Sequence, residues 1–261
     1  MIAARYGNVY LVGAGPGDPA LLTVKAHSLL SQCDGLVYDS LAPKELLDLV
    51  PESSECHLVG KRGGQHSTPQ STINSLLVEM ASRHRCVVRL KGGDPFLFGR
   101  GAEEAAYLDH YGVPVEVVPG ITAGIAVPAY VGIPVTHRLA GSSVTFVTGH
   151  EVFNKQRPLV KWRALAKASD GLVIYMGVHN LGFIVDELIV GGLDCLTPSA
   201  VIQQGTVLGQ RCIKAPLNQL VKEVKRLEFG APSIIMIGAV VDFQIEACSP
   251  APANVTMPTS F

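Results

Sequence analysis

The amino-acid sequence predicts an α/β protein built from two α/β domains, the first with a mainly parallel sheet and the second with a mixed sheet. Short β-rich runs alternate with helix-like stretches in the first half, and a similar series restarts less regularly in the second. The 261 residues are enough for two domains of ordinary size. We expect the first domain over 1–118, the second over 119–248, and a disordered tail over 249–261.

Five runs rich in β-branched and apolar residues mark the strands of the first half. They begin at Val9 (VYLV), Gly35 (GLVYD), Cys56 (CHLV), Cys86 (CVVRL) and Val115 (VEVV). The stretches between them, 20–32, 43–50 and 69–82, are predicted to be crossover helices packed on the sheet. Thr68 followed by Pro69 is typical of a helix start, with threonine as the cap and proline as the first helical residue.

The second half contains a further series of strand-like runs with less regular spacing. They are VTFV at Val144, GLVIYM at Gly171, AVIQ at Ala200 and SIIMIGAVV at Ser233. Their irregularity favours a mixed sheet over a parallel one. The segment 118–138, rich in glycine and proline, separates the two series, so we place the domain junction near Pro119.

Composition disfavours several classes of function. A formal net charge of -1 and a pI of about 6.7 provide no overall attraction to nucleic acid or to an anionic membrane. Apolar runs such as 234–237 are far shorter than the roughly 18 residues of a membrane span, and the first residues lack the apolar segment of a secretory signal. The six cysteines are scattered without a CxxC pair, which favours neither a metal site nor disulfides. We therefore expect a cytoplasmic protein.

The first strand runs into a glycine-rich turn, VYLVGAGPGDP from Val9, that partly matches a dinucleotide-binding fingerprint. Gly13 and Gly15 fit its first two glycines, and Asp39 lies where a ribose-binding carboxylate is expected. Asp18 replaces the third glycine, however, and its carboxylate would repel a phosphate, while two prolines remove backbone donors. Nicotinamide binding is therefore disfavoured, and a purely structural strand-to-helix turn stays open.

Two further loops, GKRGGQHST from Gly60 and KGGDPFLFGRGAEE from Lys91, follow the ends of predicted parallel strands. Because ligands of open α/β sheets bind at the carboxyl ends of strands, these loops and the first turn outline a single site. The loops carry the cations Lys61, Arg62, Lys91 and Arg100. Cations grouped beside glycines predict a polyanionic ligand, although solvated surface charge is the alternative for each residue alone.

Several motifs in order along the chain carry a family resemblance. They are VGAGPGDP at Val12, LVYDSL at Leu36, GKRGG at Gly60, RLKGGDPFLFGRG at Arg89, PGITAG at Pro119 and YMG at Tyr175. Together they resemble the tetrapyrrole (corrin/porphyrin) methylase family, from about Val9 to Asp242. The KGGDPFLFGRG and GKRGG motifs, with VTGH at Val147, are most similar to the branch that methylates uroporphyrinogen III.

The resemblance implies two α/β domains that enclose a cleft, in which S-adenosyl-L-methionine binds in a folded conformation and S-adenosyl-L-homocysteine is released. It assigns cofactor contacts to Pro16, Gly92, Gly93, Asp94, Leu97, Thr122, Ala123, Met176 and Gly205, with a further contact at Gly238 or Ala239. From the residues alone, Met176 is more typical of a core position and Thr122 of a helix cap.

The resemblance also implies site residues for catalysis. Asp39 matches the position of a proton acceptor and Lys61 that of a proton donor, and Arg100 with Glu103 matches a pair that handles the substrate. Asp39 is the favoured base, because a guanidinium normally stays protonated. Arg100 is a competing candidate. For Glu103 the alternative is a helix-start carboxylate favoured by the macrodipole.

The implied reaction places two methyl groups on rings A and B, giving precorrin-1 and then precorrin-2 for sirohaem or cobalamin synthesis, without a metal. The resemblance implies a homodimer, and the near-neutral net charge leads us to expect binding to neither nucleic acid nor membrane. Two alternatives stay open: a methyltransferase of the same family acting on a later corrin intermediate, and a tetrapyrrole carrier without catalysis.

Overall fold

A computed structural model describes residues 6–60, 68–150 and 160–245 of the chain. The chain divides into two compact units, the first ending at Thr122 and the second beginning at Ala123. Lys61, Arg62 and the predicted tail over 249–261 lie outside the described residues.

The first unit contains a fully parallel five-stranded sheet with the order β3-β2-β4-β1-β5. Its strands are β1 (Asn8–Gly13), β2 (Gly35–Tyr38), β3 (Glu55–Leu58), β4 (Cys86–Lys91) and β5 (Val115–Val118). Its helices are α1 (Val24–Leu30), α2 (Gln70–Arg83) and α3 (Gly101–His110), with 3-10 helices at Pro19–Leu21 and Lys44–Leu49. Because all strands are parallel, their carboxyl ends share one edge, which we call the carboxyl edge of unit 1.

Helices cover both faces of this sheet. Leu77 of α2 and Leu108 of α3 pack on one face, against Val87 of β4. Leu30 of α1 packs on the other face, against the next residue of the same strand, Val88. Because successive side chains of a strand point to opposite faces, a strand covered on both sides must be apolar along its length, as VVRL of β4 nearly is. The one exception, Arg89, is buried and belongs to the candidate site.

The second unit contains a mixed five-stranded sheet with the order β6-β7-β10-β8-β9. Its strands are β6 (Val144–Thr148), β7 (Gly171–Tyr175), β8 (Pro198–Gln203), β9 (Arg211–Pro216) and β10 (Ser233–Gly238). Only β6 and β7 pair in parallel. Its helices are α4 (Ala123–Ala129), α5 (Trp162–Ala168), α6 (Leu181–Val190) and α7 (Leu217–Arg226), with 3-10 helices at Val178–Asn180 and Ala239–Phe243.

The predicted fold class is confirmed, and the differences from the sequence prediction are local. Strand β9 was missed because the charged Arg211 and Lys214 interrupt its pattern, which an edge strand tolerates since it is half solvated. The predicted helix over 43–50 is a 3-10 helix, and Pro69 caps α2 instead of being its first residue. Among the described residues, no helix has the length and apolarity that crossing a membrane requires.

Three glycines bring backbone segments together at the carboxyl edge of unit 1. A Cβ atom added to Gly13 would lie 2.5 Å from the Cα atom of Gly120 and 2.6 Å from the carbonyl oxygen of Gly93. All of these neighbours are backbone atoms, which cannot rotate away as a side chain can. Gly13 is therefore required for packing between the ends of β1, β4 and β5.

We predict that Gly13→Ala destabilises the protein by about 1–3 kcal/mol, because the new methyl group overpacks a contact between backbones. Gly182→Ala in α6 is the matched control, since a Cβ there meets nothing within 4 Å. It should be neutral or stabilising by up to about 1 kcal/mol. Urea denaturation of both variants measures the difference, and an unchanged midpoint for Gly13→Ala would contradict the packing argument.

Candidate functional site

The loops after β1 and β4 are joined at the carboxyl edge of unit 1. The amide of Gly15 donates to the carbonyl of Gly93 at 3.2 Å, and the amide of Gly93 donates to the carbonyl of Gly15 at 2.7 Å. The predicted cofactor residues Pro16, Gly92 and Gly93 therefore lie together. A Cβ on Gly92 would lie 3.0 Å from the Cβ of Leu41, so a larger residue there would fill the space beside the loop after β2.

Asp94 ties this arrangement to the loop after β5. Its Oδ1 accepts hydrogen bonds from the amides of Phe96 at 2.8 Å and Leu97 at 3.2 Å, and its Oδ2 accepts one from the amide of Gly120 at 3.1 Å. Both carboxylate oxygens are thus engaged within the protein. If Asp94 contacts a ligand, its backbone makes the contact, because its side chain is used to hold the loop.

Exposed apolar side chains follow the strand ends at the same edge. They are Leu41 after β2, Phe96 and Phe98 after β4, and Ile121 after β5. Single exposed apolar residues are ordinary, but four of them in loops at one sheet edge form a candidate surface for an apolar ligand group. The edge thus offers apolar contacts beside its backbone groups.

Arg100 and Glu103 form a two-pronged ion pair at the start of α3. Arg100 precedes the helix with a left-handed backbone (φ 60°), and its Nε and Nη2 atoms donate to Glu103 at 3.0 and 2.6 Å. Hydrogen bonding to Arg100 lowers the pKa of Glu103, and the same bonding raises the pKa of Arg100. A guanidinium bonded in this way keeps its proton, which favours Asp39 over Arg100 as the base, and both assignments stay predictions. Both side chains are more than half exposed, so the ion pair lies at the surface and is open to solvent.

Asp39 directly follows β2, and its carboxylate is bonded to the buried Arg89. Arg89 Nη2 donates to Asp39 Oδ1 at 2.8 Å, and the amide of Asp39 donates to the carbonyl of Leu90 at 3.3 Å. The Asp39 side chain is 28% exposed and that of Arg89 only 2%. A buried cation thus orients a carboxylate that still reaches solvent.

Lys91 does not serve an anionic ligand, contrary to the sequence prediction. It is buried, and its Nζ donates to Glu104 Oε1 at 2.9 Å. Burial lowers the pKa of Lys91, and the nearby charge of Arg89 acts in the same direction. Lys91 is the last residue of β4, and its side chain lies against the buried Glu104 of α3. The sequence shows only a cation beside two glycines.

The sheet of unit 2 has its own edge with strained backbone, where β7 and β8 end. Met176 after β7 has φ 54° and a 51% exposed side chain. Gln204 and Thr206, on either side of Gly205 after β8, have φ 50° and 69°. Left-handed conformations are unfavourable for residues with side chains and concentrate at functional sites. Met176 is thus not a core residue, and it shares an edge with Gly205.

Gly238 and Ala239 lie at the other end of that sheet. Gly238 pairs with Gly171, the first residue of β7, whereas Ile234 pairs with Tyr175, the last. At about 3.3 Å per residue, the length of β10 separates the two edges by roughly 16 Å. The structure therefore does not bring these two residues together with Met176 and Gly205. The residue of β10 at the Met176 edge is Ser233, because β10 runs antiparallel to β7.

The segment that links the units contains Thr122, the last residue of unit 1, and Ala123, the first of α4. The amide of Gly124 donates to the hydroxyl of Tyr175 at 2.7 Å, and a Cβ on Gly124 would lie 2.3 Å from that oxygen. The glycine is therefore needed to hold the start of α4 against the end of β7. The described ranges contain no group of three or more His, Cys, Asp or Glu side chains that could hold a metal ion.

Comparison with known proteins assigns the family. The model of the Tetrapyrrole (Corrin/Porphyrin) Methylases matches residues 8–221. The chain belongs to this family. Both edges described above fall within the matched residues except for the C-terminal strand β10, and the family resemblance inferred from the motifs is confirmed.

Three relatives illustrate the similarity within the tetrapyrrole methylases. A uroporphyrinogen-III C-methyltransferase of Synechocystis sp. is 51% identical over 91% of this chain and 90% of its own length. The crystal structure of a uroporphyrin-III C-methyl transferase from Thermus thermophilus with S-adenyl homocysteine is 39% identical, with a TM-score of 0.78 over 90% of this chain and 99% of its own. A cobalt precorrin-4 methyltransferase is 25% identical, with a TM-score of 0.80 over 90% and 96%.

We predict that Asp94→Ala lowers the free energy of unfolding by about 1–3 kcal/mol, because three backbone amides lose the carboxylate that accepts their hydrogen bonds. Asp109→Ala is the control, since Asp109 is an exposed residue in the last turn of α3. It should change stability by less than about 0.5 kcal/mol. Urea denaturation measures both, and equal effects of the two substitutions would refute the role given to Asp94.

Proposed function

We propose that this protein is a uroporphyrinogen-III C-methyltransferase, which transfers two methyl groups from S-adenosyl-L-methionine to uroporphyrinogen III and gives precorrin-2 by way of precorrin-1. The observation that carries the proposal is the 51% identity to the Synechocystis enzyme over nearly the full length of both chains. The much lower identity to a cobalt precorrin-4 methyltransferase of the same fold favours uroporphyrinogen III over a later corrin substrate.

The residues present fit S-adenosyl-L-methionine. The residues proposed to hold the cofactor are Pro16, Gly92, Gly93, Asp94, Leu97, Thr122, Ala123, Met176 and Gly205. The cradle beside Gly92, which a larger side chain would fill, suits a ligand pressed against the backbone, and the exposed Met176 offers an apolar contact. When bound, this cofactor supplies a methyl group made electrophilic by a positively charged sulfur. Gly238 and Ala239 are not included, because they lie at the opposite edge of their sheet.

The chemistry asked of the protein itself is alignment and proton removal. An electron-rich pyrrole carbon of the substrate is the nucleophile, so no side chain has to form a covalent intermediate. Much of the rate gain then comes from holding the reactants in line. Asp39 accepts the proton that the methylated macrocycle must lose, through Oδ2, since Oδ1 is bonded to Arg89. Lys61, outside the described residues, is proposed as a proton donor.

Arg100 and Glu103 are proposed to bind the substrate. Uroporphyrinogen III is a polycarboxylate, and Arg100 can exchange the carboxylate of Glu103 for one of the substrate. The exposure of both side chains makes this exchange possible without opening the core. The apolar residues at the same edge suit the body of the macrocycle.

The proposed activity is tested by incubating the purified protein anaerobically with uroporphyrinogen III and S-adenosyl-L-methionine. We expect a product heavier than the substrate by two methyl groups, which mass spectrometry detects. Omitting the cofactor is the control. Unchanged substrate would refute the proposal, and binding of the macrocycle without transfer of a labelled methyl group would identify a carrier.

We predict that Arg100→Lys reduces turnover by about 10-fold or more while affinity for S-adenosyl-L-methionine changes little, because lysine cannot make the two-pronged contact with a carboxylate. Arg226→Lys is the matched control, since Arg226 makes a similar pair with Glu223 three residues earlier on α7. It should leave turnover unchanged. Steady-state kinetics and calorimetric titration give the two quantities, and parallel loss of cofactor affinity would reassign Arg100 to the cofactor. The same pair of measurements applies to Lys61→Ala.

We further propose a cytoplasmic homodimer, which the resemblance to the family supports. Light scattering coupled to gel filtration measures the mass in solution, and a monomer at working concentrations would contradict it. Fractionation of the producing cells tests the location.

A further inference from the structure

Arg89 makes three hydrogen bonds from inside the sheet of unit 1. Its Nη2 bonds to Asp39 Oδ1 at 2.8 Å, its Nε to Glu104 Oε1 at 3.3 Å, and its Nη1 to the carbonyl of Leu90 at 3.3 Å. The guanidinium is planar with its donors in a fixed arrangement, so these partners determine its orientation. Two carboxylates, one from the loop after β2 and one from α3, are therefore joined through a single rigid group.

Glu104 is the buried centre of this network. It is 0% exposed, and its Oε1 accepts hydrogen bonds from Arg89, from Lys91 at 2.9 Å and from Gln70 at 3.0 Å. Across the part of the chain that the structure describes, no group donates to its Oε2. A buried charge is tolerated only when it is paired, and here one carboxylate faces two cations.

The charge of Asp39 completes the network. Arg89 and Lys91 are two buried cations, and Glu104 is one buried anion, so one positive charge is left over. Asp39 is the carboxylate that Arg89 contacts on the side open to solvent. Asp39 Oδ1 accepts the hydrogen bond of Arg89. Within the described residues, no group donates a hydrogen bond to Asp39 Oδ2.

We propose that Arg89 is a positioning residue for the reaction, which fixes the Asp39 carboxylate with Oδ2 directed to the substrate, and that Glu104 with Lys91 and Gln70 holds Arg89 in place. The inference rests on the proposed function, in which Asp39 is the proton acceptor. Arg89 itself is buried and does not touch the substrate. Its effect is on how often the base is correctly oriented, and hence on turnover.

The test is a double-mutant cycle on turnover with Arg89→Met and Asp39→Asn. Methionine fills the space of the arginine stem but removes its donors. We expect Arg89→Met to lower kcat by about 10- to 100-fold, since small misplacements of catalytic groups have effects of this size. The KM for uroporphyrinogen III and the affinity for S-adenosyl-L-methionine should change by less than about 2-fold, because the contacts that bind them stay intact.

The decisive result is the effect of Arg89→Met in a chain that already carries Asp39→Asn. If Arg89 acts through Asp39, the second substitution lowers kcat little further, because the oriented base is already gone. A structural role alone would give effects that multiply. Arg83→Met is the matched control, since Arg83 also contacts two carboxylates, Glu55 and Glu79, and should leave kcat unchanged.

A second measurement keeps the inference independent of the assay. Crystal structures of the wild type and of Arg89→Met should show the Asp39 carboxylate in different orientations. If the wild type methylates uroporphyrinogen III but the two substitutions multiply, or if Asp39 keeps its orientation without Arg89, the inference is overturned. If the wild type does not methylate uroporphyrinogen III, the proposed function fails. The crystal structures then still test whether Arg89 orients the Asp39 carboxylate. Should Arg89→Met not fold, Gln70→Met weakens the same network from the other side and should lower kcat by a few fold without changing KM.

Discussion

The burial of Glu104 beneath the carboxyl edge of unit 1 determines much of the geometry around it. Removing one partner of a buried ion pair usually costs about 3–5 kcal/mol, so Arg89, Lys91 and Glu104 have to stay together. Glu104 can face them only if α3 begins at Gly101 and has one particular rotation about its axis. Successive residues of a helix are turned by about 100°, which places Glu103 on the surface beside Arg100. One buried carboxylate thus positions both Asp39, through Arg89, and the exposed ion pair.

In unit 1, glycine at the strand ends allows backbone segments of the protein to pack against each other. A glycine-rich turn after a strand is usually taken as a place where a ligand approaches the backbone. At Gly13 the approaching group is the protein itself, since Gly93 and Gly120 occupy the space a side chain would need. Asp94 strengthens the same contact by accepting a hydrogen bond from the amide of Gly120. The loops that carry the proposed cofactor residues are therefore held by internal contacts before any ligand binds, which reduces the entropy lost on binding.

The edge of unit 2 is organised by strained backbone instead of by ion pairs. Met176, Gln204 and Thr206 all have left-handed conformations, which surrounding contacts must stabilise. Gly205 between the last two packs closely on α4, where an added Cβ would lie 2.4 Å from Val127. Methionine is an adaptable side chain, and its exposure at a rigid, strained turn provides an apolar contact of defined position.

The sequence by itself determined the two α/β series, nine of the ten strands, and the family, because hydrophobic periodicity and ordered motifs are local properties. It also indicated the loop from Lys91 to Gly101 and the acidic residue Asp39 as parts of a site. Only the tertiary structure decided which of these charges are buried and which are exposed. Lys91 turned out to be buried with Glu104 and Arg100 exposed with Glu103, although both cations stand next to glycines. Likewise Gly238 ends a strand and Ala239 follows it, as Met176 follows β7, but β10 runs antiparallel to β7 and ends at the other edge. Burial, pairing and strand direction depend on residues distant in sequence, so no local pattern could have revealed them.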